Sequence, residues 1–212
     1  MNGNREEGER TQADSARARR MLELSALEIS GEYGYRELTV EKILERSNLG
    51  RQHFYFWFTN AGACYAAAYA STAEELASEL LDLSCRQDDW SGGVRAALIW
   101  VRNFLAAEPV LAKGILLEVY GGEAAAAAKR DEVLERLSRA IDTARREKSS
   151  RHSPPPIAAR FILSAVEAVA SQQLASEDRD LFARAIPDLL FLATTIFFGR
   201  EAAEAELADR GS

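Results

Sequence analysis

The stretch with the most chemistry is residues 39–58, where two short helical patterns are separated by a tight turn. Thr39 is suited to cap the first helix through its hydroxyl. Apolar and small residues then recur at the three-and-four spacing of one helix face: Val40, Ile43, Leu44 and Ser47. Asn48 and Gly50 both tolerate a left-handed backbone, which predicts a turn with Leu49 directed back into the core.

The second helix is expected over residues 51–58. At about 100° of rotation per residue, Phe54 and Phe58 share one face, which we expect to be buried. The opposite face carries Gln52, His53 and Phe56, flanked by Tyr55 and Trp57. Gln and His can hydrogen-bond base edges in a DNA major groove, and an apolar side chain can contact a thymine methyl. The pattern therefore predicts a helix-turn-helix that reads DNA.

An aromatic stripe at helical spacing is more often core than contact surface, so the alternative is a purely structural helix. Here all residues from 54 to 58 are aromatic and go round the whole helix. At most about half of them can face one core, because successive side chains point about 100° apart. The remainder are expected to face a partner.

The stretch over residues 16–69 resembles the DNA-binding domain of the TetR family of transcriptional regulators. One face of its first helix carries Ala18, Met21, Leu22, Ser25, Ala26, Ile29 and Tyr33. Gly34-Tyr35, Thr39-Val40 and the aromatic run at residues 54–58 then follow in the family's order. The resemblance covers about a quarter of the chain, and the rest agrees in length and helix pattern.

The resemblance implies DNA contacts at Thr39, Val40, Arg51, Gln52, His53, Tyr55, Phe56 and Trp57, with Tyr55 against the phosphate backbone. Three positions depart from the family pattern. Gly50 stands where Ser or Thr usually caps the recognition helix, Ala61 where a Lys usually reaches a phosphate, and Trp57 where His is frequent. These changes are expected to weaken backbone binding without abolishing it.

The net charge of −7 argues against a protein that binds nucleic acid by general phosphate attraction. Positive charges nevertheless cluster at the starts of the first helix and the recognition helix: Arg17, Arg19, Arg20 and Arg51. Such a local rim can position a duplex. Glu41 and Glu45 oppose it, which predicts a modest and strongly salt-sensitive affinity.

Composition predicts an all-α fold, and the TetR resemblance implies its division into an N-terminal three-helix helix-turn-helix DNA-binding domain plus a C-terminal helical bundle for ligand binding and dimerisation. Hydrophobic residues make up 47% of the chain and aromatics only 8%, and no segment alternates like a strand. We expect a mobile arm (1–15), the DNA-binding domain (16–60), the effector-binding and dimerisation domain (61–200) and a tail (201–212).

The body is predicted to be helical throughout. Helices are expected over residues 61–84, 92–107 with Ser91 as cap, 109–122, 123–148, 156–174 and 178–199. A Pro-rich loop is expected over 149–156, and a kink or restart at Pro187.

The last two of these helices carry more apolar side chains than one buried stripe needs. They form either a central buried hairpin or a dimer interface built as a four-helix bundle. The TetR resemblance favours the homodimer. The longest apolar run, residues 189–198, is about half of what a bilayer-spanning helix needs, so no membrane role is expected.

Enzyme chemistry has little support in the sequence. The chain has two His, no Gly-rich phosphate loop and no nucleophile with a plausible His nearby. Cys64 and Cys85 lack the partners for a zinc site or a disulfide framework, and the charged N-terminus has no signal-peptide core. No cofactor or metal is expected, and the expected location is the cytoplasm.

These observations predict a ligand-responsive transcriptional regulator, expected to be a repressor, that binds a palindromic double-stranded DNA operator as a homodimer. Aromatic and acidic side chains on the body helices suit a small, mostly apolar effector: Trp100, Phe104, Glu118, Tyr120, Phe161 and Glu167. Ordinary core packing is the equally weighted alternative for these six. The alternative function is a helical small-molecule-binding or interaction protein with weak or lost DNA binding.

Overall fold

The computed structural model describes residues 3–147 and 154–208, and these ranges contain helices but no strand. The helices are α1 (Gly3–Tyr33), α2 (Val40–Ser47), α3 (Arg51–Trp57), α4 (Ala61–Cys85), α5 (Trp90–Ala107), α6 (Pro109–Leu116), α7 (Ala124–Glu147), α8 (Ala158–Ala175), α9 (Leu181–Phe198) and α10 (Arg200–Ala208). Short 3-10 helices lie at Tyr35–Glu37 and Glu118–Tyr120. The all-α prediction is confirmed.

The chain divides into two compact units. The first unit comprises Met1–Thr72 with Val110–Lys129, and the second comprises Ala73–Pro109 with Arg130–Ser212. The predicted division at residue 60 did not foresee that residues 110–129 return to the first unit. Both α4 and α7 include residues of both units.

The two chain ends contain more helix than expected. α1 begins at Gly3, inside the stretch predicted as a mobile arm, and α10 occupies most of the predicted tail. Ala203 of α10 is buried, and α10 packs against α9. The loop predicted over 149–156 lies outside the described residues up to residue 153.

The turn between α2 and α3 uses one left-handed residue instead of two. The Thr39 hydroxyl accepts a hydrogen bond from the Lys42 backbone N–H, so the predicted cap is confirmed. Asn48 has φ 55°, as expected. Gly50 has φ −80° and an extended backbone, so a left-handed role for it is wrong. Gly50 is the N-cap residue of α3 and provides no side-chain hydrogen bond to the start of the helix.

Three other local predictions need correction. α5 is capped by Asp89, whose Oδ1 accepts from the Gly92 N–H at 2.6 Å, and not by Ser91, which is inside the helix. α6 ends at Leu116 and gives way to a 3-10 turn before Gly121. α9 continues through Pro187 without a restart.

α1 packs in the first unit with a wider buried face than predicted. Leu22, Ser25, Ala26 and Ile29 are buried as expected, together with Glu23, Leu27 and Ser30. Met21 and Tyr33 of the predicted face are exposed. The buried face of α1 is therefore rotated about the helix axis relative to the predicted face. The packing partners in this unit include α2 and α3.

Glycines bring α1 and α6 into backbone contact. A Cβ on Gly31 would lie 1.9 Å from the Val110 carbonyl oxygen, and one on Gly114 would lie 2.2 Å from the Leu27 carbonyl oxygen. No larger residue fits at this distance. The buried Tyr65 hydroxyl donates to the Gly114 carbonyl at 2.8 Å, which fixes α6 against α4 as well.

The core of the second unit forms around α9, which packs against α5, α8 and α10. Trp90 contacts Phe197 edge-to-face at 5.3 Å between ring centroids. The other buried members of this cluster are Ala158, Ala159, Ile162 and Ala193. In the described part of the chain, α9 is the one helix long and apolar enough to cross a membrane by length and composition, which a core helix of this kind also satisfies.

Candidate DNA-reading surface and candidate effector cavity

The recognition helix α3 presents the side chains that its periodicity predicts. Phe54 and Phe58 are buried, with ring centroids 5.7 Å apart. Phe58 follows the last residue of α3 and has an extended backbone. On the outer side, Arg51, Gln52, His53, Tyr55 and Phe56 are exposed and Trp57 is half-buried. The structure therefore places most of the predicted DNA-contacting residues on one accessible surface.

Thr39 and Val40, the two predicted contacts outside α3, stand at the start of α2. Thr39 is exposed and Val40 is half-buried. The Thr39 oxygen accepts the cap bond, which leaves its hydroxyl hydrogen free to donate. Thr39 is therefore available to a phosphate or a base edge without loss of the cap.

The outer aromatic side chains are tied to α1 through Arg19. Phe56 contacts Trp57 edge-to-face at 4.8 Å between centroids. The Arg19 guanidinium lies over the Trp57 ring at 5.2 Å, a cation–π distance. Arg19 Nε also donates to the buried Glu23 carboxylate at 2.8 Å. Arg19 is thus exposed but paired with Glu23 and Trp57, whereas the predicted basic rim requires an unpaired side chain.

Other cations near α3 are also paired within the protein. Arg51 Nη2 donates to Glu41 Oε1 at 2.9 Å, although both side chains are about two-thirds exposed. Arg20 donates to the Ser71 and Thr72 hydroxyls. Three of the four residues of the predicted rim, Arg19, Arg20 and Arg51, are therefore paired, which sequence spacing alone did not reveal. The fourth, Arg17, is exposed.

Arg46 of α2 shields acidic side chains of α1. It binds Glu32 and lies 3.8 Å from Glu28. The hydrogen bond from Arg46, assisted by one from Tyr33, lowers the pKa of Glu32, so this carboxylate is charged at neutral pH. Because Arg46 carries one positive charge beside these two carboxylates, the group keeps a net charge of −1 and opposes a nearby phosphate less than two unpaired carboxylates would.

The second unit contains a partly open apolar cavity of about 120 Å³. Its walls come from α4, α5, α7, α8 and α9: Leu80, Leu81, Ser84, Trp90, Val94, Ala97, Leu98, Val101, Leu137, Ile141, Ile162, Leu163, Val166, Ala193 and Phe197. Ser84 is the one wall residue with a polar side chain besides the indole N–H of Trp90. Such a lining suits an apolar group.

A second cavity of about 240 Å³ adjoins it and shares Leu81, Ser84, Trp90, Val94 and Ile141. Its other walls include the polar side chains of Cys85, Gln87 and Asp89. Cys85 is exposed, whereas Cys64 in the first unit is buried and burial raises the pKa of its thiol. Together the two cavities form an apolar interior with a more polar outer part.

The six predicted ligand contacts do not line this cavity. Trp100 and Phe104 stack on each other along α5 with centroids 5.4 Å apart, and neither is a wall residue of the cavity. Both are half-buried, and their spacing of four residues brings them together on the helix surface.

The other four predicted contacts lie elsewhere. Phe161 is exposed on α8 and lines a separate, more open cavity of about 270 Å³. Glu167 forms a bidentate pair with Arg130 of α7. Glu118 and Tyr120 belong to the first unit, where Glu118 accepts the Tyr35 backbone N–H at 2.7 Å. The wall of the 120 Å³ cavity consists mainly of Leu, Val and Ile side chains, which sequence reasoning did not single out.

No family model and no curated protein sequence matches the chain. Solved structures do. A putative TetR-family transcriptional regulator from Syntrophomonas wolfei is 18% identical, with a TM-score of 0.68 over 84% of this chain and 96% of that one. FadR from Bacillus subtilis, a transcriptional regulator solved with stearoyl-CoA, is 15% identical, with a TM-score of 0.70 over 84% and 97%.

SmeT, the repressor of a multidrug efflux pump of Stenotrophomonas maltophilia, is 26% identical, with a TM-score of 0.66 over 83% of this chain and 88% of that one. These three proteins are described as transcriptional regulators or repressors, and none as an enzyme. This protein has the fold of TetR-family transcriptional regulators, as its sequence predicted.

Proposed function

We propose that this protein is a ligand-responsive transcriptional regulator, acting as a repressor, that reads a palindromic operator through α3. The observation that carries the proposal is the outer surface of α3, where Gln52, His53, Tyr55 and Phe56 are exposed side by side. Gln and His supply hydrogen bonds to base edges, and Tyr55 supplies a hydroxyl for a phosphate. The fold shared with TetR-family regulators supports this assignment, and a regulator of this kind would act in the cytoplasm.

Selection of bound duplexes from random DNA tests the proposal. The expected result is a two-fold symmetric site, in which the spacing of the half-sites gives the spacing of the two recognition helices. Binding should weaken steeply with salt if phosphates contribute. Enrichment of no sequence, or binding independent of salt, would contradict a DNA-reading role.

We propose that the homodimer forms through the outer faces of α8 and α9. Phe161 is 58% exposed and Leu192 is 48% exposed. The exposed face of α8 continues through Ser164 and Ala168, small residues that allow close helix approach. Leu190 and Phe197 belong to the core of one chain, at 2% and 0% exposed. The proposed dimer interface therefore includes fewer apolar side chains than the apolar content of these helices suggested.

We further propose that the effector binds in the second unit, with an apolar group in the 120 Å³ cavity and a polar group near Gln87 and Asp89. FadR, one of the similar structures, was solved with stearoyl-CoA, whose apolar chain and polar head have this character. Binding of an apolar group against this wall is favourable in proportion to the apolar area that is removed from water.

The effector proposal has a thermodynamic test. A ligand releases DNA only by binding the released conformation more tightly, and operator DNA must then weaken ligand affinity by the same factor. A compound found by thermal-shift screening should bind more weakly with operator present, and Leu98→Trp, which fills the cavity, should abolish its binding. Equal affinities with and without operator would mean that the compound is not an inducer.

A second candidate function is a small-molecule-binding protein with weak DNA binding. It is favoured by the pairing of Arg51 with Glu41 and of Arg19 with Glu23, which leaves little free positive charge near α3. Binding to genomic fragments at low and physiological salt separates the two. Only weak, sequence-independent binding at low salt would favour this second function.

A further inference from the structure

We propose that Phe56 determines operator specificity by selecting a thymine through its 5-methyl group, and that Trp57, Arg19 and Glu23 hold its ring in place. The inference rests on the proposed DNA-reading function and names the base that one side chain reads. Two observations support this inference: the high exposure of Phe56, and the contacts that link its ring through Trp57 and Arg19 to Glu23.

Phe56 is 73% exposed, more than any other large apolar side chain in the described part of the chain. It lies on the same outer surface of α3 as Gln52 and His53. A phenyl ring in this position gains nothing from water, and exposed apolar groups grouped with polar readers mark a contact surface. On binding, this ring would be buried against whatever group the DNA offers.

The ring is anchored by neighbours whose own positions are fixed. Trp57 meets it edge-to-face at 4.8 Å, and the Arg19 guanidinium covers Trp57 at 5.2 Å. Arg19 is bound at 2.8 Å to Glu23, which is 4% exposed and also accepts the Ser71 hydroxyl at 3.1 Å. The contacts thus run from a buried carboxylate to an exposed ring. A pre-positioned ring loses less freedom when it binds.

Thymine is the base that suits such a ring. In the major groove, the edges of guanine, adenine and cytosine present hydrogen-bond donors and acceptors, and thymine adds a methyl group. A phenyl ring placed over a donor or acceptor removes its water and offers no replacement bond, which is costly. Contact with the methyl group avoids this cost and buries apolar area on both sides.

Arg19 then acts as a positioning residue and not as a phosphate contact. Its guanidinium is engaged by Glu23 on one side and covers the rings of Trp57 and Phe58, the latter at 5.9 Å. We expect it to keep both contacts when DNA binds, because its Nε–H is committed to Glu23. This role distinguishes it from Arg51, whose partner Glu41 is exposed and exchangeable with solvent.

The first experiment replaces each thymine of the selected operator by uracil, one symmetric pair at a time, and measures affinity by fluorescence anisotropy. Loss of one methyl contact is worth about 0.8 kcal/mol, or about fourfold in affinity for each half-site. The full-length protein should show this loss at one position. Phe56→Ala should bind the thymine and uracil duplexes equally, whereas the control Gln52→Ala should still discriminate.

Three results would overturn the inference. The protein could bind every uracil duplex as well as its thymine parent, or Phe56→Ala could retain the full discrimination. If the protein selects no duplex at all, the proposed DNA-reading function fails and the inference fails with it. If it selects a duplex but ignores the methyl group, only the role of Phe56 fails.

The second experiment tests whether Arg19 and Glu23 position the Phe56 ring. Arg19→Gln/Glu23→Gln removes both charges together, and Arg19→Lys keeps a positive charge for Glu23 but removes the guanidinium that lies over Trp57. Thermal melting verifies that each variant is folded. Both should lose thymine discrimination while the double variant keeps the salt dependence of the parent. If the double variant still discriminates thymine from uracil, but its plot of log affinity against log salt concentration has a slope smaller by about 0.9 per protomer, Arg19 is instead a phosphate contact.

Discussion

The recognition helix α3 and the body helix α9 are both rich in large apolar side chains, yet they differ in which of these side chains they bury. α3 buries Phe54 and exposes most of its other side chains. α9 buries seven side chains in its own chain: Phe182, Ile186, Leu189, Leu190, Ala193, Thr194 and Phe197. An apolar side chain is therefore exposed and accessible to a partner on most of α3, whereas on α9 it stabilises the fold.

Because α3 exposes most of its side chains and α9 buries many of its own, mutations in the two helices should change different quantities: DNA affinity and the free energy of unfolding. Substitutions on the outer face of α3 should alter DNA affinity with little effect on the free energy of unfolding, because these side chains pack against little. Substitutions on the buried face of α9 should do the reverse. Only the exposed part of α8 and α9, around Phe161 and Leu192, should affect assembly.

The largest expected effect is on stability, from Phe197→Ala. Phe197 is fully buried against Trp90, and truncation of a buried Phe leaves a cavity that costs about 3–5 kcal/mol. Urea unfolding followed by circular dichroism measures the loss. Phe56→Ala is the matched control and should change stability by no more than about 0.5 kcal/mol. Similar losses in the two variants would remove the distinction between α3 and α9.

The next effect concerns assembly. Leu192→Glu or Phe161→Glu would bury a charge twice in a symmetric interface, at a cost of at least about 2 kcal/mol per protomer. Light scattering should find folded monomers, with the helical signal of the parent and weakened operator binding. Leu190→Glu, which alters the core, should instead unfold or aggregate. Folded dimers in both exposed-site variants would place the interface elsewhere.

The third effect is on operator binding. Gln52→Ala and His53→Ala should each cost about 1–3 kcal/mol of DNA affinity and change which bases are preferred. Tyr55→Ala should weaken binding about equally for all sequences, because a phosphate contact carries no base information. Anisotropy titrations against the selected duplex and its single-base variants separate the two patterns. Parental binding by all three folded variants would mean that α3 is not the reader.

The smallest expected effect is an increase in operator affinity. Glu41→Gln removes a charge that opposes phosphates and releases Arg51 from an exposed ion pair, which is worth up to about 1 kcal/mol. Operator affinity should rise several-fold at low salt. Glu45→Gln makes the same change in net charge on α2 without touching this pair, so it should gain less. An equal gain in both variants would point to net charge alone.

The sequence by itself determined the helical class of the fold, the cap at Thr39, the left-handed turn at Asn48 and the outward set of side chains on α3. These features depend on local geometry, because a short helix rotates by a fixed angle per residue and its buried positions identify the exposed ones. The return of residues 110–129 to the first unit was not predictable in this way, since it depends on the distant contact of Gly31 with Val110.

Only the tertiary structure decided what the remaining apolar and charged residues do. Phe197 faces the core and Leu192 does not, although both lie on one apolar helix. Arg19 covers Trp57 and pairs with Glu23, and the cavity is lined by ordinary Leu, Val and Ile residues of five helices. The physical reason is that burial, ion pairing and cavity formation depend on which residues distant in sequence come within a few ångströms, and a periodic pattern along one helix does not contain that information.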